Sequence, residues 1–117
     1  MTDEKNEESQ IIELRNLRIE DYLDLNASLR QAYSSWGHVQ WRRESLERLV
    51  DLFPEGQFCV TVNGQVAASA LSIIIDYSKF GDNHTYDQIL AGETFRNHTE
   101  EGDVLYGIEV FVHPDYR

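Results

Sequence analysis

Three shortages in the sequence exclude whole classes of protein. The chain has one cysteine, Cys59, so it has no internal disulfide framework and must fold on a hydrophobic core. Its 10 Lys and Arg residues face 21 Asp and Glu residues, and the formal net charge of -11 disfavours binding to nucleic-acid phosphates or to an anionic membrane. No apolar run is long enough to span a bilayer, and the N-terminal sequence MTDEKNEESQ is unlike a signal peptide. We therefore expect a cytoplasmic protein with neither a nucleic-acid nor a membrane partner.

What is present is the pattern of a single small α+β domain. Residues 1–10 are polar and acidic, which is typical of a disordered tail. Residues 11–19 alternate imperfectly between apolar and polar side chains, which predicts a first strand with a bulge near Asn16. Two amphipathic stretches follow. Asp21 is placed to cap the first helix, and the residues 54–56 (PEG) end the second.

The clearest local signal is the pair Asn63-Gly64, which lies between two apolar runs. Both residues tolerate a positive φ, as a two-residue hairpin turn requires. We therefore predict that residues 57–63 and 65–76 form two strands joined by this turn.

Residues 76–103 form a connection far longer than a hairpin needs, and it is rich in aromatic and histidine side chains. Within it, Thr85 and Gln88 have the spacing of a capping box, which predicts a short helix. This content indicates an ordered lid or an interface arm. His84 and His98 lack the spacing of a zinc site, so we predict no metal.

The last strand-like run, residues 104–112 (VLYGIEVFV), is almost continuously apolar, which predicts a strand covered on both faces. Glu109 is the one charge in this run. A carboxylate in apolar surroundings has a raised pKa and tends to have a functional reason for its position. Two interpretations of Glu109 stay open: it is a proton acceptor, or it is a structural carboxylate paired with an arginine. Pro114 ends the strand because proline cannot donate to the ladder.

The end of the chain resembles the fourth strand of the GCN5-related N-acetyltransferase superfamily. In that family an apolar strand leads through a proline to an Arg or Gln that opens a glycine-rich loop, and the matching positions are Val110, Val112, Pro114, Tyr116 and Arg117. The order strand, helix, helix, hairpin, long insertion, strand is also that of the N-terminal half of this fold. The resemblance implies a mainly antiparallel sheet, and it implies that residues 11–117 are a partial domain truncated at the pyrophosphate loop.

A narrower resemblance is to the acetyltransferase-like region of chains that continue into a nitrilase-type carbon-nitrogen hydrolase domain. The shared features are the wording LYGIEVFV in the fourth strand and the long acidic insertion before it. This likeness implies that such a region is attached to a hydrolase.

The superfamily resemblance also implies a chemistry, in which an amine attacks the thioester of acetyl-CoA as cosubstrate. Val110 and Val112 would contact that substrate through their backbone, and Arg117 would begin the pyrophosphate-binding loop. Glu109 would be the base, although some family members place the catalytic carboxylate three residues earlier, where this chain has Tyr106. The acceptor, a small-molecule or peptide amine, would be bordered by three side chains: Trp36, His84 and Tyr86.

An alternative from another class is a catalytically inactive module of the same fold that serves interaction or regulation. Because the glycines of the loop do not follow Arg117, we expect the chain alone to bind acetyl-CoA poorly and not to catalyse. We also expect it to self-associate through the outer edge of the 104–112 strand or through the 76–103 insertion, because an unpaired strand edge is a template for pairing.

Overall fold

The computed structural model describes residues 10–34 and 40–117, which form an antiparallel sheet with helices on one face. The strands are β1 (Ile12–Asn16), β2 (Phe58–Val62), β3 (Gln65–Ile75) and β4 (Val104–Val112), and the helices are α1 (Tyr22–Ala32), α2 (Arg43–Leu52) and α3 (Tyr86–Leu90). The strand order is β1-β2-β3-β4, and every neighbouring pair is antiparallel. The predicted α+β class and order of elements are confirmed. None of the described helices is long and apolar enough to cross a membrane. The predicted tail lies outside the described residues, apart from Gln10.

The two short-range motifs fold as predicted. At the β2–β3 turn, Asn63 has φ 53° and Gly64 has φ 82°, the two positive values that the hairpin requires. Asn63 Oδ1 also accepts a hydrogen bond from the N–H of Ile11 at 2.9 Å, so the turn fixes the approach to β1. At the start of α3, the Thr85 hydroxyl accepts from the N–H of Gln88, and Gln88 Oε1 accepts from the N–H of Thr85.

β1 is shorter than predicted and has no bulge. It pairs with β2 in unbroken register from Ile12 to Asn16 and then ends. Leu17 turns into the core, where it is 2 % exposed, and its N–H donates to the carbonyl of Gln57 at 2.9 Å. The predicted bulge near Asn16 is therefore wrong, because the break in alternation marks the end of the strand.

Asp21 precedes α1 but does not cap it with its side chain. Its carboxylate accepts instead from the N–H of Arg18 and from both terminal nitrogens of Arg15, each at 2.8 Å. Burial alone would raise the pKa of Asp21, but these hydrogen bonds outweigh it and the pKa lies below the ordinary value. The carboxylate thus joins β1 to the turn before α1.

The hydrophobic core lies between the sheet and the three helices. α1 and α2 contribute leucines at helical spacing, and the 76–103 insertion contributes residues from α3 and from the segment after it. Side chains that are at most 1 % exposed include Leu71, Ile73, Ile75, Ile89, Leu90 and Phe95. Because three of these come from the insertion, the insertion is part of the folded body.

β3 has 11 residues and β2 has 5, so the far part of β3 extends beyond its partner. The side chain of Gln57 takes the place of the missing strand: its Oε1 accepts from the N–H of Ser72 at 2.9 Å, and its Nε2 donates to the Ser72 carbonyl at 2.7 Å. Two residues of the insertion then form hydrogen bonds with the backbone of Ile74. His98 Nδ1 accepts from its N–H at 3.0 Å, and the N–H of Thr99 donates to its carbonyl at 2.8 Å. The backbone groups of β3 are thereby satisfied beyond β2.

A glycine is required where the insertion returns to the sheet. A Cβ at Gly102 would collide with the carbonyl group of Ile75 and with the side chain of Ile74. The close approach lets the N–H of Asp103 donate to the Ile75 carbonyl at 3.0 Å.

The face of the sheet opposite the helices is apolar and open in the described residues. Strand pairing aligns one row of side chains across all four strands, Leu14, Val60, Ala68 and Val112. Leu105 and Val110 extend this open face along β4, where they are 66 % and 68 % exposed. The expectation that β4 is covered on both faces is therefore wrong for the described chain. The run is continuously apolar because apolar residues occupy the open face as well as the core face.

Replacing Gln57 by leucine should destabilise the fold by about 3 kcal/mol, because buried backbone groups of Ser72 lose their partners where leucine offers none. Calorimetry should show a melting temperature lower by roughly 10 °C or more. Gln31→Leu, on the exposed side of α1, is the matched control and should change stability by less than ~0.5 kcal/mol. Equal losses in both variants would show that the Gln57 amide does not brace β3.

The open face predicts that the chain self-associates as its concentration rises, because large exposed apolar patches favour association. Leu105→Lys should shift light scattering across a dilution series towards the monomer. Leu23→Lys is the control, since Leu23 is 77 % exposed but lies on α1. A monomer at all concentrations, or an equal response to both substitutions, would contradict association through this face.

Candidate functional site

A register shift turns one carboxylate of β4 towards the helices. Leu71 pairs with Glu109, but the next residue of β3 pairs with Gly107, so Ile108 is an extra residue in β4. Because side chains alternate along a strand, the extra residue puts both Ile108 and Glu109 on the helix-covered side. Without it, Glu109 would project from the open face.

The partner of Glu109 is an indole, and not the arginine that one interpretation of the sequence expected. Nε1 of Trp41 donates to Glu109 Oε1 at 2.8 Å. Burial raises the pKa of Glu109 above its ordinary value, and the hydrogen bond from Trp41 opposes that rise. Since the folded-state pKa is raised, the stability that protonated Glu109 contributes is present below the ordinary carboxyl pKa and is lost as the pH rises through the folded-state pKa.

Trp41 is itself fixed by a buried amide on α1. Asn26 is 3 % exposed; its Nδ2 donates to the Trp41 carbonyl at 2.9 Å, and its Oδ1 accepts from the Trp41 N–H at 2.8 Å. The indole packs near the ring of Phe95, with the ring centroids 6.1 Å apart. Backbone and ring are both held, so the indole N–H has a defined direction towards β4.

Tyr86, at the start of α3, contacts the same part of β4. Its hydroxyl donates to the carbonyl of Ile108 at 3.1 Å. Burial, followed by the negative charges of Glu109 and Glu93, raises the pKa of Tyr86 to about 12. The phenol is therefore a protonated donor at neutral pH.

Three rings of the insertion and β4 form an aromatic wall, consisting of Tyr77, His84 and Tyr106. The ring of His84 meets those of Tyr77 and Tyr106 edge to face, with centroids 6.0 and 6.1 Å apart. His84 Nδ1 lies 2.8 Å from the carbonyl of Gly81. Because a carbonyl can only accept, Nδ1 carries the hydrogen and the bond fixes the orientation of the ring.

The outer edge of β4, on the side away from β3, carries backbone groups of alternate residues. The N–H of His113 donates to the Ala67 carbonyl at 2.7 Å, so alternation directs the backbone groups of Val112 and Val110 outward. Two carbonyl groups on this edge accept hydrogen bonds from side chains. The Val110 carbonyl accepts from the Tyr33 hydroxyl at 3.4 Å, and the Val112 carbonyl accepts from Arg117 Nε at 3.0 Å. These two carbonyl groups therefore have side-chain partners, although no other strand of the described chain pairs with this edge.

The structure brings most of the sequence-predicted site residues into two adjoining places. One group lies around the carboxylate and the aromatic wall: Glu109, Tyr106, His84 and Tyr86. The other lies along the outer edge of β4: Val110, Val112 and Arg117. Trp36 lies outside the described residues. The roles assigned to all of these residues stay predictions.

Sequence reasoning missed the role of Trp41 and of Asn26. Trp41 is 6 % exposed and fits the interpretation of a core side chain, but a buried indole N–H needs an acceptor. Glu109, in an apolar strand, needs a donor. Matching these two requirements was the signal that could have paired them, although 68 residues separate them in the chain.

Neither histidine of the insertion is arranged with other ligands around a common point. His84 bonds the Gly81 carbonyl, and His98 accepts from the backbone of Ile74. Within residues 10–34 and 40–117, no group of three His, Cys, Asp or Glu side chains lies close enough to hold a metal ion.

No family model matches the chain, but two proteins of Bacillus subtilis (strain 168) are similar in sequence. The probable hydrolase YhcX is 41% identical over 81 residues, which are 69% of this chain and 16% of that protein. The uncharacterized N-acetyltransferase YkwB is 30% identical over 77 residues, which are 66% of this chain and 34% of that protein. The chain thus spans only a minor part of either relative.

Two solved structures are similar in fold. The loading GNATL domain of CurA from Lyngbya majuscula has a TM-score of 0.73 and 28% identity, over 92% of this chain and 50% of that one. The GphF GNAT-like decarboxylase, in complex with isobutyryl-CoA, has a TM-score of 0.68 and 22% identity, over 90% of this chain and 50% of that one, and it shows the fold alone. The sheet, the element order and these similarities define an α+β domain related to acyl transfer. The described chain has the fold of the GCN5-related N-acetyltransferase superfamily, and it is similar in sequence to an N-acetyltransferase.

The Tyr86 phenol should ionise near pH 12 in an NMR titration of ¹³Cζ-labelled tyrosine, with its resonance assigned by its loss in Tyr86→Phe. Glu109→Gln should lower this midpoint, because it removes a negative charge that opposes the phenolate. Glu101→Gln, at an exposed position of the insertion, should leave it unchanged. If Glu109→Gln leaves the Tyr86 midpoint unchanged, the placement of Tyr86 beside Glu109 is wrong.

Proposed function

We propose that this domain transfers an acetyl group from acetyl-CoA to an amine acceptor, with Glu109 as the proton acceptor. The observation that carries this proposal is the position of Glu109. It is half-buried on the helix side of β4 and hydrogen-bonded to Trp41. Along the strand it lies one residue from Val110 and three from Val112, whose backbone groups face outward. The proposed base therefore lies next to the strand edge that would bind the thioester.

The proposed reaction needs a proton acceptor because an alkylammonium ion has no lone pair. Glu109, directly or through a water molecule, accepts the proton of the amine, whose nitrogen then attacks the thioester carbonyl carbon. The carbon–sulfur bond breaks, the nitrogen loses its second proton to solvent as the amide forms, and the CoA thiolate leaves and is protonated by solvent. The raised pKa of Glu109 makes its conjugate acid weaker, and it brings the base closer to neutral operating pH.

The outer edge of β4 has the backbone donors that a thioester substrate requires. The N–H groups of Val110 and Val112 face this edge, and a fixed N–H that meets the acyl oxygen stabilises the charge that develops on it. Arg117, which now bonds the carbonyls of Val112 and Ala32, is placed to pair with a phosphate. The binding of isobutyryl-CoA by the similarly folded GphF decarboxylase supports a CoA thioester as the substrate class.

The aromatic wall and Tyr86 are proposed to border the acceptor. Aromatic faces attract cations, and the net charge of -11 favours the approach of a cationic amine. A small-molecule or peptide amine fits this environment. The family resemblance also implies Trp36 as an acceptor contact, and Trp36 lies outside the described residues.

A second candidate function is that of a non-catalytic module attached to a hydrolase. The observation that favours it is the 41% identity to the probable hydrolase YhcX, of which the matched segment is 16%. In that case the native protein would hydrolyse a carbon–nitrogen bond elsewhere, and Glu109 would only stabilise the module. The two candidates differ in whether the native protein turns over a CoA thioester.

Glu109→Gln in the native protein should lower acetyl transfer about 10²-fold or more and flatten the acid side of its pH–rate profile, because the amide keeps the size but cannot accept the proton. Release of free CoA thiol, with a panel of amines, measures the rate. Glu101→Gln removes the same charge from an exposed position and should leave the rate unchanged. If Glu109→Gln folds normally and keeps the native profile, Glu109 is not the base; thioester turnover absent from the native protein itself would favour the second candidate.

A further inference from the structure

Three segments that are distant in sequence are linked by hydrogen bonds that end at the carboxylate of Glu109. Asn26 of α1 bonds both backbone groups of Trp41, and Trp41, just before α2, bonds Glu109 of β4. Asn26 and Trp41 are 3 % and 6 % exposed, so water does not compete freely for these bonds. An indole N–H can only donate, and its bond to an ionised carboxylate is stronger than its bond to a protonated one.

We propose that Trp41 is a positioning residue, anchored by Asn26, that aims the Glu109 carboxylate and favours its ionised form. The inference rests on the proposed function, since it assigns a task to the residue that holds the proposed base. It goes beyond packing because a core side chain needs volume alone, whereas this role needs the indole N–H. Phenylalanine would fill most of the space and would offer no donor.

Among the groups around Glu109, the indole of Trp41 is the one that stabilises the ionised carboxylate. Tyr86 faces it from α3, and Tyr106 of β4 lies near Tyr86; Tyr86 is neutral at neutral pH because its pKa is about 12. The carboxylate of Glu93, whose charge also acts on Tyr86, lies 4.0 Å from Arg42. Directly after α1, the Tyr33 hydroxyl donates to the Val110 carbonyl. Within the described part of the chain, burial and the Trp41 bond are the causes that set the Glu109 pKa. Removing the bond therefore leaves burial unopposed.

The first test replaces Trp41 by phenylalanine and follows ¹³Cδ-labelled glutamate by NMR across pH, with the Glu109 resonance assigned by its loss in Glu109→Gln. The Glu109 midpoint should rise by about 1 pH unit or more, as expected for the loss of a hydrogen bond to a charged group. Phe53→Leu is the control for packing. Phe53 is 7 % exposed and stacks on His98, so this variant should lose stability and leave the Glu109 midpoint in place. An unmoved midpoint in folded Trp41→Phe overturns the inference.

A second measurement leaves Trp41 intact and covers the case in which Trp41→Phe does not fold. One of the two tryptophan indole ¹⁵N–¹H resonances should titrate with the same midpoint as the Glu109 carboxyl, because the donor senses the charge of its acceptor. The titration should vanish in Glu109→Gln and persist in Trp36→Phe, which assigns it to Trp41. If neither indole follows Glu109, or if the response survives Glu109→Gln, the proposed role of Trp41 is wrong.

Activity separates the failure of this inference from the failure of the proposed function. If both hold, the acid limb of the pH–rate profile of Trp41→Phe moves to higher pH by the same amount as the NMR midpoint. If the NMR midpoint moves and the rate profile does not, Trp41 controls Glu109 but Glu109 is not the base. If Glu109→Gln abolishes the acid limb while Trp41→Phe shifts neither quantity, the base is correct and the inference fails.

Discussion

The extra residue in β4, Ile108, is the constraint on which the arrangement of the site depends. If β4 paired with β3 without this shift, Glu109 would project from the open face. It would then contact neither Trp41 nor Tyr86. The shift occurs opposite Ser72, and this is the residue whose backbone Gln57 holds on the other side of β3. One buried amide thus supports the point at which the pairing of β3 with β4 changes. The direction of the carboxylate is set by backbone geometry before any side-chain interaction acts on it.

Two opposing effects then act on the Glu109 carboxylate. Burial favours its neutral form, and the indole of Trp41 favours its charged form. A lone buried carboxylate would be neutral at most working pH values, whereas one paired with an arginine would be a weak base. The indole is a donor without a positive charge, so it offsets part of the burial effect and leaves the group basic. An intermediate environment of this kind suits a residue that must both gain and lose a proton.

The parts of the fold that sequence could predict are those decided within a few residues. Asn63-Gly64 forms the hairpin and Thr85 with Gln88 forms the capping box, because each depends on the chemistry of its own turn. The predicted bulge near Asn16 failed because a broken alternation looks the same whether a strand bulges or ends. The real shift at Ile108 and the bond between Trp41 and Glu109 depend on contacts between distant segments. The family resemblance and the lone charge in an apolar strand indicated the residues of the site, and only the pairing of the strands showed which side of the sheet Glu109 occupies.

The insertion between β3 and β4 separates its two tasks along its length. Its last part is bound to the far end of β3 through His98, Thr99 and Asp103, and Gly102 allows the close contact. Its first part carries Tyr77 and His84 of the aromatic wall. Substitutions of Tyr77 or His84 can therefore alter the surface beside Tyr106 without removing a side-chain hydrogen bond to the sheet. An exchange of the first part could thus change what the domain recognises, while the last part keeps the far end of β3 hydrogen-bonded.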